Sequence, residues 1–407
     1  MTYVPSEKIL ANYAKIMVRF APSGGKGIKK GDVVLLIAGE ASKPLYVAIR
    51  NEILKAGGHV ISNYLADGDD RYQVGRDFYE LAKPHQLDFF PSKYMRGLVD
   101  QIDHSIYIIA NTNPHELKGI DPKKMMRRGE AYKPYMEWRN KKEHQGKFSW
   151  TLCLYGTKAM AKEARLPERA YWRQIEKACF LNEKDPVKKW KKVQSEINTN
   201  RKKLNAITKN THSFHIFGKD VDLWITPGEK RQWLGGSGAN IPSFEIFTSP
   251  DWRGTKGWIR FNQPLYRYGN LITGIELEFK EGRVVKSKAK KNEKVLKAMI
   301  ATANADKVGE FSLTDKRHSR ITKFMAETLF DENRGGAHGN THIALGASYK
   351  DAYTGDVSKL TKRMSAALGF NDSSVHTDII STAPRVVTAH LKNGAEKVIY
   401  KNGMFVL

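Results

Sequence analysis

The side chains best suited to chemistry sit in apolar company. Val375-His376-Thr377-Asp378-Ile379-Ile380 sets a histidine and an aspartate two residues apart. In an extended segment both side chains fall on one face, so one strand can offer a nitrogen and an oxygen ligand together. His-x-Asp alone is a frequent chance pattern. Thr341-His342-Ile343-Ala344-Leu345-Gly346 lodges a histidine in a glycine-ended apolar stretch, where a lone histidine is more often a satisfied core residue than a ligand. Gly309-Glu310-Phe311-Ser312-Leu313 and Ile241-Pro242-Ser243-Phe244-Glu245-Ile246-Phe247 each hold a glutamate in strand-like apolar sequence, where uncompensated burial is costly. Leu329-Phe330-Asp331-Glu332-Asn333 puts acidic residues directly after apolar ones. Two histidines and several carboxylates, all in the C-terminal half, make a donor set that can hold a pair of divalent metals by mixed nitrogen and oxygen ligation.

Other chemistries fit less well. Gly24-Gly25-Lys26-Gly27 suggests a phosphate loop, but it precedes its strand, and Lys26 is followed by Gly27 rather than Ser or Thr. No Gly-x-Gly-x-x-Gly follows a strand, so a dinucleotide is not expected. Cys153 and Cys179 are the only cysteines. They allow neither a disulfide framework nor a four-cysteine zinc site, and a reducing cytoplasm is the expected setting.

The elements that must position these residues fall into two textures. Residues 5–18 place Ile9, Leu10, Tyr13, Ile16 and Met17 on one helical face. Strands are predicted over 33–38, 59–64 and 105–110, with a helix over 43–56 that tolerates Pro44 in its first turn. Strand, helix and strand in this rhythm predict a Rossmann-like α/β domain with a parallel sheet. Asp185-Pro186 opens a basic helix in which Val187, Trp190, Val193, Ile197, Leu204 and Ile207 recur at helical spacing. From Thr211 the pattern becomes short alternating strands (214–216, 221–225, 258–261, 275–279) with glycine turns and a long helix around 292–302. The fold class expected is therefore α/β: an N-terminal domain over 1–209 that includes the basic helical region, then a β-rich α+β domain over 210–407.

Composition narrows the function classes. The 407 residues carry 68 Lys+Arg against 43 Asp+Glu, a formal net charge of +25, with 41% apolar residues. That mixture is globular rather than disordered or fibrous. No apolar run is long enough to span a membrane, and the first 21 residues have no unbroken apolar core for a secretory signal. The charge admits a nucleic acid or other polyanion as partner. A solvated lysine surface explains it equally, and no nucleic-acid motif accompanies it.

Read together, these motifs resemble the aminopeptidase T-type metallopeptidases, a family of cytoplasmic metal-dependent aminopeptidases. The resemblance covers the whole chain. It is dense from Lys177-Ala178-Cys179-Phe180-Leu181 through Asp185-Pro186 to Trp190, and at Val221-Asp222-Leu223. It is densest at Asn240-Ile241-Pro242, Glu245-Ile246-Phe247-Thr248, Gly309-Glu310, Thr328 to Asn333, His342 to Gly346, and His376-Thr377-Asp378. It implies six metal ligands, Glu245, Glu310, Glu332, His342, His376 and Asp378, with Glu310 bridging two divalent ions. It implies Tyr349 and Glu310 as catalytic groups. Zinc, cobalt and manganese all suit such donors. Four carboxylates would balance two divalent cations, which accounts for glutamates among apolar neighbours. Between the Asp-Glu-Asn motif and His342 lies an insertion, and its His338 is a rival ligand to Glu332. The function implied is removal of N-terminal residues from short peptides through a water activated by two metals, by a homodimer. Two alternatives stand beside it: a ring-cleaving dioxygenase with a single iron on the same fold, and a polyanion-binding protein on a peptidase scaffold.

Overall fold

β1 (Val33–Gly39), β2 (His59–Leu65), β3 (His104–Ile109) and β4 (Ser149–Leu154) run parallel in the order β2-β1-β3-β4, and the short β8 (Asn240–Ile241) adds at the β4 edge. The computed structural model describes residues 3–69 and 71–407. The helix Glu7–Arg19 starts at Ser6, whose hydroxyl accepts the Ile9 amide, and its apolar stripe is buried as the 3.6-residue spacing requires. The helix Lys43–Lys55 carries Pro44 in its first turn and buries Leu45, Ile49 and Ile53 at four-residue intervals. Both helices and three of the strands answer to their predicted spans within a residue or two.

On either side of β3, the helices between β2 and β4 have no counterpart in the sequence prediction. Among them are Ser92–Gln101, Pro122–Ala131 and Lys133–His144. The last buries none of its residues, so no apolar stripe marks it in the sequence. β4 also escaped prediction.

The chain separates into two compact units. The first is Met1–Ser195 with Gly236–Ser243 and Phe324–Leu329; the second is Glu196–Gly235, Phe244–Lys323 and Phe330–Leu407. The change of unit thus falls within the 23-residue helix Pro186–Thr208.

The second unit is built on antiparallel sheets. Eight strands follow the order β14 (Arg283–Lys288), β13 (Glu276–Lys280), β10 (Asp251–Arg260), β6 (Val221–Thr226), β5 (Thr211–Gly218), β18 (Val386–Leu391), β19 (Glu396–Lys401) and β20 (Met404–Phe405). Five more follow the order β17 (His376–Ser381), β16 (Asn340–Gly346), β15 (Val308–Thr314), β9 (Glu245–Thr248) and β7 (Leu234–Gly235). β11 (Leu265–Arg267) and β12 (Asn270–Ile272) pair only with each other. Phe311 of β15 packs against Phe214 of β5 and against Trp233, with ring centroids 6.4 and 5.7 Å apart. One face of the five-stranded sheet is therefore core. β15 and β16 are buried along their whole lengths, so their other face is covered too. The helix expected over 292–302 is shorter, Glu293–Ile300.

Candidate metal centre

Register gathers the predicted ligands. In an antiparallel sheet, directly opposed residues point to the same face. Glu245 of β9 opposes Thr314 of β15, and His342 of β16 opposes Ser312. Ala344, which opposes Glu310 on one side, opposes Asp378 of β17 on the other, and Gly346 opposes His376. Glu310, Ser312 and Thr314 alternate along β15. Five acidic or histidine side chains from four adjacent strands thus share the face opposite Phe311. Gly346 has φ +104°, and a Cβ there would run into the Val375 carbonyl, so only glycine lets β16 and β17 close up beside His376.

The side chains form two groups joined at Glu310. Glu245, Glu310 and His342 offer ligand atoms within 4.8 Å of one another, as do Glu310, His376 and Asp378. His342 Nε2 lies 3.2 Å from Glu245 Oε2, 3.3 Å from Glu310 Oε1 and 3.9 Å from Asp378 Oδ1. His376 Nε2 lies 3.6 Å from both Glu310 Oε2 and Asp378 Oδ1. The two oxygens of Glu310 therefore face different histidines. Glu245, Glu310 and His342 are buried, whereas the side chain of His376 keeps 23% of its surface open. The site opens on the His376 side.

The charges are crowded. Burial, then the Glu245 and Asp378 carboxylates, push Glu310 up to about 7 against the pull of both histidines. Burial and the same neighbours raise Glu332 well above the usual carboxylate range. Burial opposes protonation of His376, but Asp378 and Glu310 overcome it and lift the imidazole to about 9. His342 is raised by Glu245 and Glu310 in the same way. Against its burial, His376, His342 and Arg267 hold Asp378 at about 2.

Glu332 follows the helix Thr328–Asp331 rather than lying on a strand. It is buried and shares the field of Glu245 and Asp378, yet its carboxylate belongs to neither tight group. The Asn333 side chain donates its Nδ2 to Glu332 Oε1 at 3.3 Å, and its Oδ1 accepts the Phe244 amide. His338 is exposed and joins neither group. Tyr349 stands over the open side, edge-on to His376 at 4.8 Å and to Phe247 at 5.6 Å. It leaves 37% of its surface exposed. Burial of the hydroxyl and the carboxylates of Glu310, Asp378, Glu332 and Glu245 raise its phenol well above the usual value.

Ser312, unassigned in the sequence reading, donates to Glu245 Oε2 at 3.0 Å; its place two residues after Glu310 on a strand was the signal for it. Arg231 and Ser249 gave no such signal. The Arg231 guanidinium donates to the carbonyls of Ser249, Glu229 and Leu368, and the Ser249 hydroxyl accepts the Tyr349 amide.

The donor set suits divalent cations. Three carboxylates surround His342 Nε2, and its single N–H can satisfy only one of them. His342 Nδ1 is buried without a hydrogen-bond partner. His376 Nδ1 donates to the Ala347 carbonyl at 2.8 Å. That bond fixes the tautomer that leaves Nε2 for a metal. Buried carboxylates at this density need positive charge between them.

Comparison with known proteins agrees with this donor chemistry. The profile of the family described as thermophilic metalloprotease (M29) matches residues 6–405. The aminopeptidase PepS of Streptococcus thermophilus is 27% identical over 98% of this chain and 98% of its own. Aminopeptidase T of Thermus thermophilus is 26% identical over 94% of this chain and 96% of its own. The solved structure of wild-type AmpT from Thermus thermophilus superposes with a TM-score of 0.82 at 23% identity, covering 98% of this chain and all of that one; at that identity it speaks for the fold. No helix among the described residues is long and apolar enough to cross a membrane. The chain is a peptide hydrolase that belongs to the thermophilic metalloprotease family, of the aminopeptidase T type.

Proposed function

We propose that the chain removes N-terminal residues from short peptides at a centre of two divalent metals. The observation that carries this reading is Glu310, whose two oxygens face His342 on one side and His376 on the other. Glu245 and His342 would hold one ion, His376 and Asp378 the other, with Glu310 shared and Glu332 completing the set. Ions bound there supply Lewis acidity and a nucleophile at neutral pH. One of the ions or a neighbouring carboxylate would read the substrate's free α-amino group, which confines cleavage to the first peptide bond. The Tyr349 hydroxyl stays protonated and donates to the oxyanion that develops on the scissile carbonyl, a contribution of about 3 kcal/mol. Glu310 accepts the proton released in the attack and passes it to the leaving amine. Two buried thiols without a disulfide suit the reducing cytoplasm we assign it, and we take the working form to be a homodimer.

The test pairs metal analysis with activity on an aminoacyl anilide. The expected result is two divalent ions per chain, with activity lost to EDTA and restored by zinc, cobalt or manganese. Glu310→Gln should lower both the ion count and kcat. One iron per chain would favour the dioxygenase reading. Activity that survives metal removal would sink the proposal, and a monomer mass on a sizing column would remove the dimer.

A further inference from the structure

Tyr349 stands at the open side of the centre, and its backbone is held from below. The Tyr349 amide donates to the Ser249 hydroxyl at 2.8 Å. Ser249 follows β9, the strand of Glu245, and is fully buried. The turn after Tyr349 is held by a second segment. Gln232 donates its amide to the Ala352 carbonyl at 2.8 Å and its Nε2 to the Asp351 and Tyr353 carbonyls at 3.0 and 3.2 Å. The Thr354 amide donates to the Lys230 carbonyl at 2.9 Å.

Arg231 ties these two anchors together. Its guanidinium is buried, yet it pairs with no carboxylate among the described residues. Nε donates to the Ser249 carbonyl at 2.7 Å, Nη1 to the Glu229 carbonyl at 2.9 Å and Nη2 to the Leu368 carbonyl at 2.7 Å. The Phe370 ring covers the group, 3.4 Å from guanidinium carbon to ring centroid. A buried cation is costly unless its donors are satisfied. The planar fork of arginine meets three acceptors at fixed angles, which an ammonium on a flexible stem does not. The same serine therefore has its carbonyl fixed by Arg231 and its hydroxyl engaged by Tyr349. The Tyr349 ring itself meets only the edges of Phe247 and His376, so its place depends on where its backbone is held.

We infer that Ser249, clamped by Arg231, is a positioning residue that sets where the Tyr349 ring stands beside His376. The kinetic half of this inference rests on the aminopeptidase reading; the spectroscopic half does not. Fluorotyrosine incorporated into the full chain gives a fluorine NMR resonance for Tyr349, identified by its absence from Tyr349→Phe. Ser249→Ala removes the hydroxyl alone, and Arg231→Lys keeps the charge without the fork. Each should shift or broaden the Tyr349 resonance and leave the metal content at the wild-type value. Each should also lower kcat on the anilide about tenfold with KM little changed, the effect of a small displacement at a reacting centre. In a Tyr349→Phe background the same changes should cost less than about twofold, since residues acting through one group are not additive. A merely structural role would lower kcat by the same factor in both backgrounds. An unmoved resonance in Ser249→Ala, or a loss as large in the Tyr349→Phe background as in the wild type, overturns the inference. If Arg231→Lys does not fold, Ser249→Ala alone decides. A Tyr349→Phe chain as fast as the wild type, with the resonance still displaced in Ser249→Ala, upholds the positioning and removes the phenol from the mechanism. A wild-type chain inactive on the anilide is a failure of the aminopeptidase reading itself.

Discussion

In the proposed mechanism Glu310 and Tyr349 would divide the chemistry between them, and their legibility differs. Glu310 stood out in the sequence because a glutamate in a strand of Val, Phe and Leu is costly unless something pays its charge back. Tyr349 has an ordinary tyrosine's neighbours, and only the family resemblance pointed to it. Its structural support comes from residues far off in sequence: Phe247, Ser249 and, through the Ser249 carbonyl, Arg231. No local pattern encodes such a chain of contacts. If the phenol donates to the developing oxyanion, Tyr349→Phe should lower kcat by about 10²-fold or more with KM little changed. Because burial and the surrounding carboxylates raise the phenol, it remains a donor across the neutral and mildly alkaline range. The alkaline limb of the pH–rate profile should therefore be the same in Tyr349→Phe as in the wild type. Loss of that limb in the variant would assign it to Tyr349 and contradict the raised phenol.

At the scale of elements, β15 is the axis of the site, and the residue after it locks it in place. Asp315 is fully buried and accepts the backbone amides of Arg317 at 2.9 Å and of Phe405 in β20 at 2.9 Å, besides the Arg317 guanidinium. Next to it, the Tyr400 hydroxyl of β19 donates to the Thr314 carbonyl at 2.8 Å. These bonds fasten the end of β15 to the edge of the eight-stranded sheet. Burial alone would raise Asp315, but the hydrogen bonds from Arg317 and Phe405 outweigh it and leave the carboxyl below its usual value of 3.8. A depressed folded-state value means stability that is present above about pH 4 and lost as pH falls through the folded value. Asp315→Asn should therefore cost about 1–3 kcal/mol at pH 7. The Arg317 side chain is half exposed and screened, so most of that cost lies with the two amides. Urea midpoints at pH 7 and at about pH 3 check it: the gap between variant and wild type should narrow in acid, and a gap that widens would reverse the sign. The strands here were legible where alternation is strong, at β5, β6 and β13. The pairing that brings β9, β15, β16 and β17 together was not, because register depends on partners far apart in sequence, from Thr314 opposite Asn340 to Thr314 opposite Glu245.

For the whole molecule, the +25 charge and the acidic centre describe different places. Lysines line the open edge of the large sheet along β14, at Lys286 and Lys288, where unpaired strands are commonly guarded by such charge. The four carboxylates of the centre are enclosed, and their cost falls on the folded state whenever metal is absent. Glu310 at about 7 and His376 at about 9 both lie above their unfolded values, and Glu332 and His342 are raised as well. Groups raised on folding bind protons more tightly in the native chain, so they support it below their unfolded values and lose that support as pH rises through the folded ones. Asp378, at about 2, acts only in strong acid. The stability of the metal-free protein should therefore fall steadily between about pH 5 and 9. Bound divalent ions replace those protons and flatten the dependence, because a ligand of the native state stabilises by mass action. Thermal scans with and without EDTA should show a small loss of Tm at about pH 6 and a loss larger by several °C at about pH 8.5. A loss that is equal at both pH values would mean that the buried carboxylates and histidines do not share their site with the metals.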